Sequence, residues 1–467
     1  MIAVAGFWSV LGAFFEKIMA LVVYVIVSRS VDVADFGNLV AVFLIVEFLG
    51  YLSSFGVKEY IVRQDAVTNK LLSYCYRFVQ YVSVFLLILM LFFVSPIMFL
   101  FAGKEIGFLS LLISIQPSIA CFSGFYMAIL QRDFRFKEIA IRSSIISLSS
   151  GSVACILAFL GVGIYSLIVY RYVYVISDYF ILRRFVGVKT SSIVDYSDIK
   201  RLWQFGWKIS FSQILNFSGS KMYEVFVVLI YGSSSLAILD VGRKLIVTIY
   251  NVFMVPLNAV ANSLVARSCD PRGSYFRFVF FVGLIITPVM ALLGAFSDEI
   301  IGIFFGNNWL ESARVSVLFS FGVVVQVSLW FVASLYIRID KPELLLVNQL
   351  VNVGVVFLTC VLSSVFVEDF FDFLLYSVAG LFLSGFLRLA IAVFYAQLDI
   401  LFSMLLLVGI SIIYAIFYYS SIFLYGILYF ENMGVIFSLL SVVFSLAIVY
   451  VPILYFSYVR LLGGIRV

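Results

Sequence analysis

The sequence predicts an all-α polytopic membrane protein of about fourteen transmembrane helices, and three observations lead there. Of its 467 residues, 64% are hydrophobic and only 12% charged, about half the charged share of a soluble domain, and the mean hydropathy is +1.17. Apolar stretches of about twenty residues, the length a helix needs to cross a bilayer, recur along the whole chain. The short alternating segments of a membrane β-barrel do not occur. Finally, the basic residues sort to one side of these stretches.

The spans fall near 6–28, 36–57, 72–95, 106–130, 139–161, 163–182, 206–231, 241–265, 276–296, 313–336, 343–366, 372–395, 400–424 and 434–458. The first has no basic segment before it and no small-residue cleavage pattern, so it reads as a retained helix and not a signal peptide. With the N-terminus in the cytoplasm, the connections and tail on that side hold seventeen lysines and arginines, among them Lys58, Arg132, Arg135, Lys137, Lys189, Arg267 and Arg460. The opposite side holds two, Arg29 and Lys104. Basic residues accumulate on the cytoplasmic side of a membrane, so both termini are expected there. The formal charge of +5 is accordingly a mark of topology and not of a nucleic-acid surface.

The chain repeats itself. The first span opens Gly6-Phe7-Trp8, carries Glu16-Lys17 near its middle, and is followed by Asp35-Phe36-Gly37. The seventh opens Phe205-Gly206-Trp207, carries Lys221 and Glu224 near its middle, and is followed by Asp240-Val241-Gly242. The offset is about 200–205 residues. The expected organisation is an N-lobe of six spans over 1–182, a cytoplasmic connection over 183–205, a C-lobe of six spans over 206–396, and two additional helices with a short tail over 397–467. Two pseudo-symmetric lobes around a central cavity are a common transporter plan, with the binding site at the repeat interface. Asp35 and Asp240 also have a plain structural explanation as N-caps of the helices that follow.

Charges within the bilayer are costly and normally face a bundle interior or a watery cavity. Span one places Ser9, Gly12, Ala13, Glu16, Lys17 and Ala20 on a small or polar stripe at helical spacing. Span seven does the same with Gln213, Asn216, Ser220 and Glu224, with Lys221 alongside. Glu47 lies in span two, Arg171 and Asp178 in span six, Arg243 and Lys244 at the start of span eight, and Arg388 in span twelve. One reading makes these residues glue between helices, with Lys221 and Glu224 a closed i,i+3 pair, and with Arg243, Lys244 and Asp178 snorkelling towards an interface. The other places them in a water-filled cavity lined by spans one, two, seven and eight. There Lys17, Lys221, Arg243 and Arg388 would attract an anion such as phosphate, and Glu16, Glu47, Glu224 and Asp178 would balance charge or bind a coupling ion, H+ or Na+. Pro117, Pro256, Pro288 and Pro452 fall inside spans and are expected to kink them.

Covalent chemistry has little to work with here. There is no histidine, which removes the usual general base and the commonest metal ligand. The five cysteines, Cys75, Cys121, Cys155, Cys269 and Cys360, show no metal-binding spacing and read as small apolar helix residues. No Gly-rich run ends in Gly-Lys-Ser/Thr, so no ATP-binding loop is expected. No cofactor is expected either, and the chain does not read as an enzyme.

Arg29-Ser-Val-Asp-Val-Ala-Asp-Phe-Gly37, followed across span two by Phe55-Gly56 and Val62-Arg63-Gln64, resembles the opening of the polysaccharide flippase family, the Wzx-like members of the multidrug/oligosaccharidyl-lipid/polysaccharide (MOP) exporter superfamily. Gln131-Arg132-Asp133-Phe134-Arg135-Phe136-Lys137 is similar to its cytoplasmic signature between spans four and five, and Gly161-Val-Gly163-Ile-Tyr-Ser166-Leu167 to the next one. Phe304-Phe305-Gly306-Asn-Asn-Trp309 and Arg338-Ile-Asp340-Lys341-Pro342 resemble its turns after spans nine and ten. The likeness runs from about residue 5 to 360. It implies movement of undecaprenyl-diphosphate-linked oligosaccharides from the cytoplasmic to the periplasmic leaflet of a bacterial inner membrane, for O-antigen or other surface polysaccharide. The implied partners are that lipid-linked glycan, membrane lipid, and the polymerase and glycosyltransferases of the same pathway. Arg132, Arg135 and Lys137 either obey the positive-inside rule or meet the lipid phosphate at the cytoplasmic leaflet. The rival expectations are a cation-coupled multidrug exporter of the same superfamily and, from another class, a membrane polysaccharide polymerase or lipid-linked sugar transferase.

Overall fold

A computed structural model describes residues 2–53, 55–63, 68–187, 196–267, 270–339, 341, 343–428 and parts of 435–452. Gln64, Lys189, Cys269, Asp340, Pro342, Arg460, Arg466 and part of the last expected span lie outside the described residues. Regular structure among the described residues is helical throughout. In chain order the helices are α1 (Ile2–Ser28), α2 (Val33–Ser53), α3 (Val57–Arg63), α4 (Asn69–Leu89), α5 (Ser95–Phe101), α6 (Lys104–Leu112), α7 (Gln116–Arg132), α8 (Phe136–Phe159), α9 (Tyr165–Val186), α10 (Tyr196–Arg267), α11 (Pro271–Ala295), α12 (Ser297–Phe304), α13 (Glu311–Trp330), α14 (Val332–Arg338), α15 (Glu343–Phe366), α16 (Phe370–Ala396) and α17 (Ile400–Leu428). By length and apolarity nine helices among the described residues can cross a membrane, or ten with Glu311–Gly322 and Gln326–Tyr336 as one span bent by 54°. One of the nine, Leu202–Met254, is 53 residues long, about twice what a ~30 Å hydrocarbon core requires, and it is interrupted at Gly232 (φ 85°, ψ 179°). Among the described residues this makes nine or ten, with the 53-residue helix counted once, and the exact count of fourteen is not confirmed among them.

Local chemistry sets many of the ends. Thr68 accepts a hydrogen bond from the Leu71 amide at the start of α4. Asp270 caps α11 through the Gly273 amide ahead of Pro271, and Asp369 caps α16 through Phe371 and Asp372. Each side chain satisfies an amide that the helix leaves open. Asp35 and Asp240 are not such caps. Asp35 lies inside the first turn of α2, where its charge meets the positive end of the helix dipole, and Asp240 is buried well inside α10. The reason is that α10 runs on as helix beyond Gly232, so no helix begins at Asp240. Pro117 breaks its helix as expected: within the single span Lys104–Arg132 the helix is interrupted at Ile113–Ile115 and restarts as α7 with the proline in its first turn, because proline cannot bond back to the carbonyl four residues earlier. Pro288 does sit within an unbroken α11.

The chain forms two compact units, Met1–Ala237 and Ile238–Val467, so the seventh span clusters with the first six. Within the first unit, α1 and α8 run parallel on small residues. A Cβ on Gly12 would come within 2.8 Å of the Ala140 Cα, and one on Gly151 within 2.4 Å of the Met19 methyl. Lipid is as apolar as leucine, so close backbone approach of this kind, and not hydrophobicity, holds membrane helices together. The second unit packs α11 against α13, α14 and α17 around Tyr275, Phe278, Phe331 and Tyr336, with the Tyr275 hydroxyl donating to the Ser328 carbonyl at 2.5 Å.

The internal repeat shows in backbone detail. Gly103 (φ 95°, ψ 167°) joins α5 to α6, and Gly306 (φ 95°, ψ 171°) follows α12. They stand 203 residues apart (306 − 103) in a conformation open essentially to glycine alone. Each unit also carries a tie between helices: Asn38 on α2 donates to Glu105 on α6 at 3.1 Å, and the Ser316 hydroxyl on α13 donates to the Gly242 carbonyl on α10 at 2.8 Å.

Candidate functional site

The first unit gathers charge in its interior at two places. In one, Lys221 on α10 lies 3.1 Å from Glu224 and 3.4 Å from Glu47 on α2. Lys221 and Glu224 meet because residues three apart share a helix face. Glu47 reaches them because α2 runs antiparallel along the first arm of α10, with Phe48 and Tyr51 both against the Phe217 ring (5.4 and 5.6 Å between centroids). The Glu224 side chain is 1% exposed and that of Glu47 42%.

In the other, Arg142 on α8 pairs with Asp178 on α9, Nε to Oδ1 at 2.5 Å, and both side chains are buried. The same guanidinium reaches the Tyr174 hydroxyl at 3.4 Å and the Met127 sulfur at 3.6 Å. Glu16 on α1 acts electrostatically on Asp178, Tyr174 and Tyr170, and Arg171 on Tyr170, so a second carboxylate and a second cation stand near this pair. Arg171, one helix face away, lies over the Phe43 ring at 3.6 Å, an arrangement that favours a guanidinium. Lys17, beside Glu16 in sequence, is exposed.

The sequence singled out seven of these residues but not Arg142 or Tyr174. An arginine at the cytoplasmic start of a span looks like a topology signal. The clue available was depth: Arg142 lies about as far into span five as Asp178 lies from the cytoplasmic end of span six, and consecutive spans run antiparallel.

The remaining expected cations fall elsewhere. In the second unit Arg243 is 3.9 Å from Asp240, at the limit of an ion pair. Arg388 on α16 faces neutral groups. It acts on Tyr336, whose hydroxyl receives the Asn348 amide at 3.4 Å, and Ser384 one turn away donates to Asn352 at 2.8 Å. The Arg388 Nε is buried without a hydrogen-bond acceptor and the Asn348 Oδ1 without a donor. At the cytoplasmic signature, Arg135 is bidentate to Glu138 (2.7 and 2.5 Å) and donates to the Phe185 carbonyl at 2.9 Å. It thereby ties this turn to the last turn of α9, where a cation complements the helix dipole, and its bond to Glu138 raises its pKa above the ordinary arginine value. Arg132 is 3.5 Å from Asp133, and Lys137 is exposed.

Comparison with known proteins agrees with this architecture. The chain resembles in fold the structure described as the lipid II flippase MurJ in an inward closed conformation, with a TM-score of 0.72 over 98% of each chain at 17% identity. An inward-facing multidrug-resistance MATE transporter of the MOP superfamily gives a TM-score of 0.61 over 82% of this chain and 94% of that one, at 14% identity. A MOP superfamily transporter from Pyrococcus furiosus gives 0.57 over 84% and 93%, at 13% identity. No curated protein matches in sequence. The fold is therefore the one these transporters share. Residues 26–314 match the family described as polysaccharide biosynthesis protein, more than half of the chain, and the protein belongs to that family.

Proposed function

We propose that the protein is a flippase that carries undecaprenyl-diphosphate-linked oligosaccharide from the cytoplasmic to the periplasmic leaflet of a bacterial inner membrane by alternating access, for O-antigen or another surface polysaccharide. The observation that carries this reading is a lysine held by carboxylates inside the bundle of a polysaccharide-biosynthesis protein with a transporter fold. A diphosphate between sugar and lipid is the anion a buried lysine or arginine suits. Lys221 is the first candidate for it, with Lys17, Arg243 and Arg388 as further cations along the path. Glu16, Glu47, Glu224 and Asp178 balance these charges or carry the coupling ion, H+ or Na+. Arg132, Arg135 and Lys137 stand where the lipid phosphate meets the cytoplasmic leaflet, and both termini lie on that side. Polymerase and glycosyltransferases of the same pathway would act after and before it.

In cells deleted for this gene, wild-type protein should restore surface polysaccharide. The Lys17→Ala/Lys221→Ala double variant should not, although it reaches the membrane in equal amount. Full polysaccharide output from the double variant would sink the assignment of these lysines. Drug resistance conferred by the wild type without any polysaccharide phenotype would instead favour the multidrug-exporter reading, which the MATE-like fold keeps in view.

A further inference from the structure

The seam between α2 and the first arm of α10 is closed in a particular way. At one end Gly37 lies so near α10 that a Cβ there would come within 1.9 Å of the Ser233 carbonyl oxygen. At the other, a Cβ on Gly56 would sit 2.8 Å from the Gly206 Cα, and one on Gly206 would sit 2.2 Å from the Phe55 carbonyl oxygen. Phe55 also stacks on Trp203 at 4.8 Å and holds a positive φ of 34°, a strained backbone for a large residue. Tyr60 on α3 packs edge-on to Phe205 at 5.4 Å. Between these two backbone-to-backbone contacts, about 15 Å from each at 1.5 Å per residue, lies the Glu47–Lys221–Glu224 cluster. It is an ion pair that crosses this seam.

We infer that Lys221 is a latch that the substrate's diphosphate opens: the anion replaces Glu47 on the lysine, and the α2–α10 seam parts at its Gly56–Gly206 end. This rests on the proposed function and adds a mechanism to it. Two features set the direction of the exchange. Glu224 is buried at 1% exposure and shares a helix face with Lys221, whereas Glu47 sits across the seam at 42% exposure. Glu47 is therefore the partner with room to move away, and Glu224 stays with the lysine. Charge gives the second reason. Lys221 already balanced by two carboxylates cannot hold a further anion until one of them leaves, so anion binding and release of α2 are one event. Arg171, over Phe43 one turn from Glu47 on α2, keeps a cation near the carboxylate after it lets go.

Cross-linking across the seam tests this. Tyr60→Cys and Phe205→Cys are introduced together and joined with a short bifunctional thiol reagent in membranes, with each single variant as the blank for the native cysteines. In the resting protein the yield should be high. Glu47→Gln, which keeps shape and removes the charge, should lower it at least threefold. Glu224→Gln and Lys221→Arg, which leave a cation facing Glu47, should not lower it and show that the seam still folds. Vesicles containing undecaprenyl diphosphate should lower the yield as Glu47→Gln does, and vesicles containing undecaprenol should not. Equal yields in wild type and Glu47→Gln overturn the latch. A fall in Glu47→Gln with no response to undecaprenyl diphosphate overturns the diphosphate as its key, and leaves the ionic closure of the seam separate from the proposed substrate.

Discussion

At the scale of single residues, burial decides what a charge can do. Arg142 and Asp178 are both almost inaccessible, so each neutralises the other in a medium where an isolated charge is expensive. Arg142→Ala should cost about 3–5 kcal/mol, visible as a lower thermal unfolding temperature in detergent. The Arg142→Ala/Asp178→Ala double variant should recover a large part of it, because no unpaired charge is then left behind. Simple addition of the two single losses would show that the residues do not act as a pair. Lys221–Glu224 was legible in the sequence, since three-residue spacing on one helix face is a local property. Glu47 as the third member was not, because its place depends on how α2 lies along α10.

At the scale of helices, glycine reports contact. Gly37→Ala forces a methyl group into the Ser233 carbonyl, backbone against backbone, and should displace α2 from α10. Gly50 on the same helix has nothing within 4 Å of a Cβ, so Gly50→Ala should be neutral or stabilise by up to about 1 kcal/mol through helix propensity. Unfolding of the two variants in parallel checks this, and equal effects would mean that the close approach at Gly37 does not hold the seam. Helix existence was readable from apolar runs, and boundaries were less so. Pro117 was readable as an interruption, and the break falls in the turn before it, between α6 and α7. Asp240 looked like a cap and proved to be interior, since the break falls eight residues earlier, at Gly232.

At the scale of the whole molecule, the repeat read from short motifs extends into backbone geometry that those motifs did not include. Gly103 and Gly306 share one conformation 203 residues apart, while Gly103 had no place in the sequence motifs because the residues after it, Lys104-Glu105 and Asn307-Asn308, do not match. Alanine at either position should cost about 1–3 kcal/mol, and similar losses at both would be expected of duplicated turns. A strongly unequal pair of unfolding temperatures would contradict that equivalence. Fold class followed from composition because a bilayer admits few architectures. The charge clusters followed only in part, because sequence gives depth along a helix but not which face meets which neighbour.

Transbilayer movement in reconstituted vesicles tests the proposed function most directly. Purified protein is placed in vesicles that carry undecaprenyl-diphosphate-linked oligosaccharide in both leaflets, and a glycan-cleaving enzyme is added outside. With wild-type protein the inner-leaflet pool should become accessible to the enzyme, and with Lys221→Ala its accessibility should fall at least tenfold in rate. Wild-type vesicles that expose no more glycan than protein-free ones would contradict the flippase, and equal rates for wild type and Lys221→Ala would contradict the role given to the lysine at its centre.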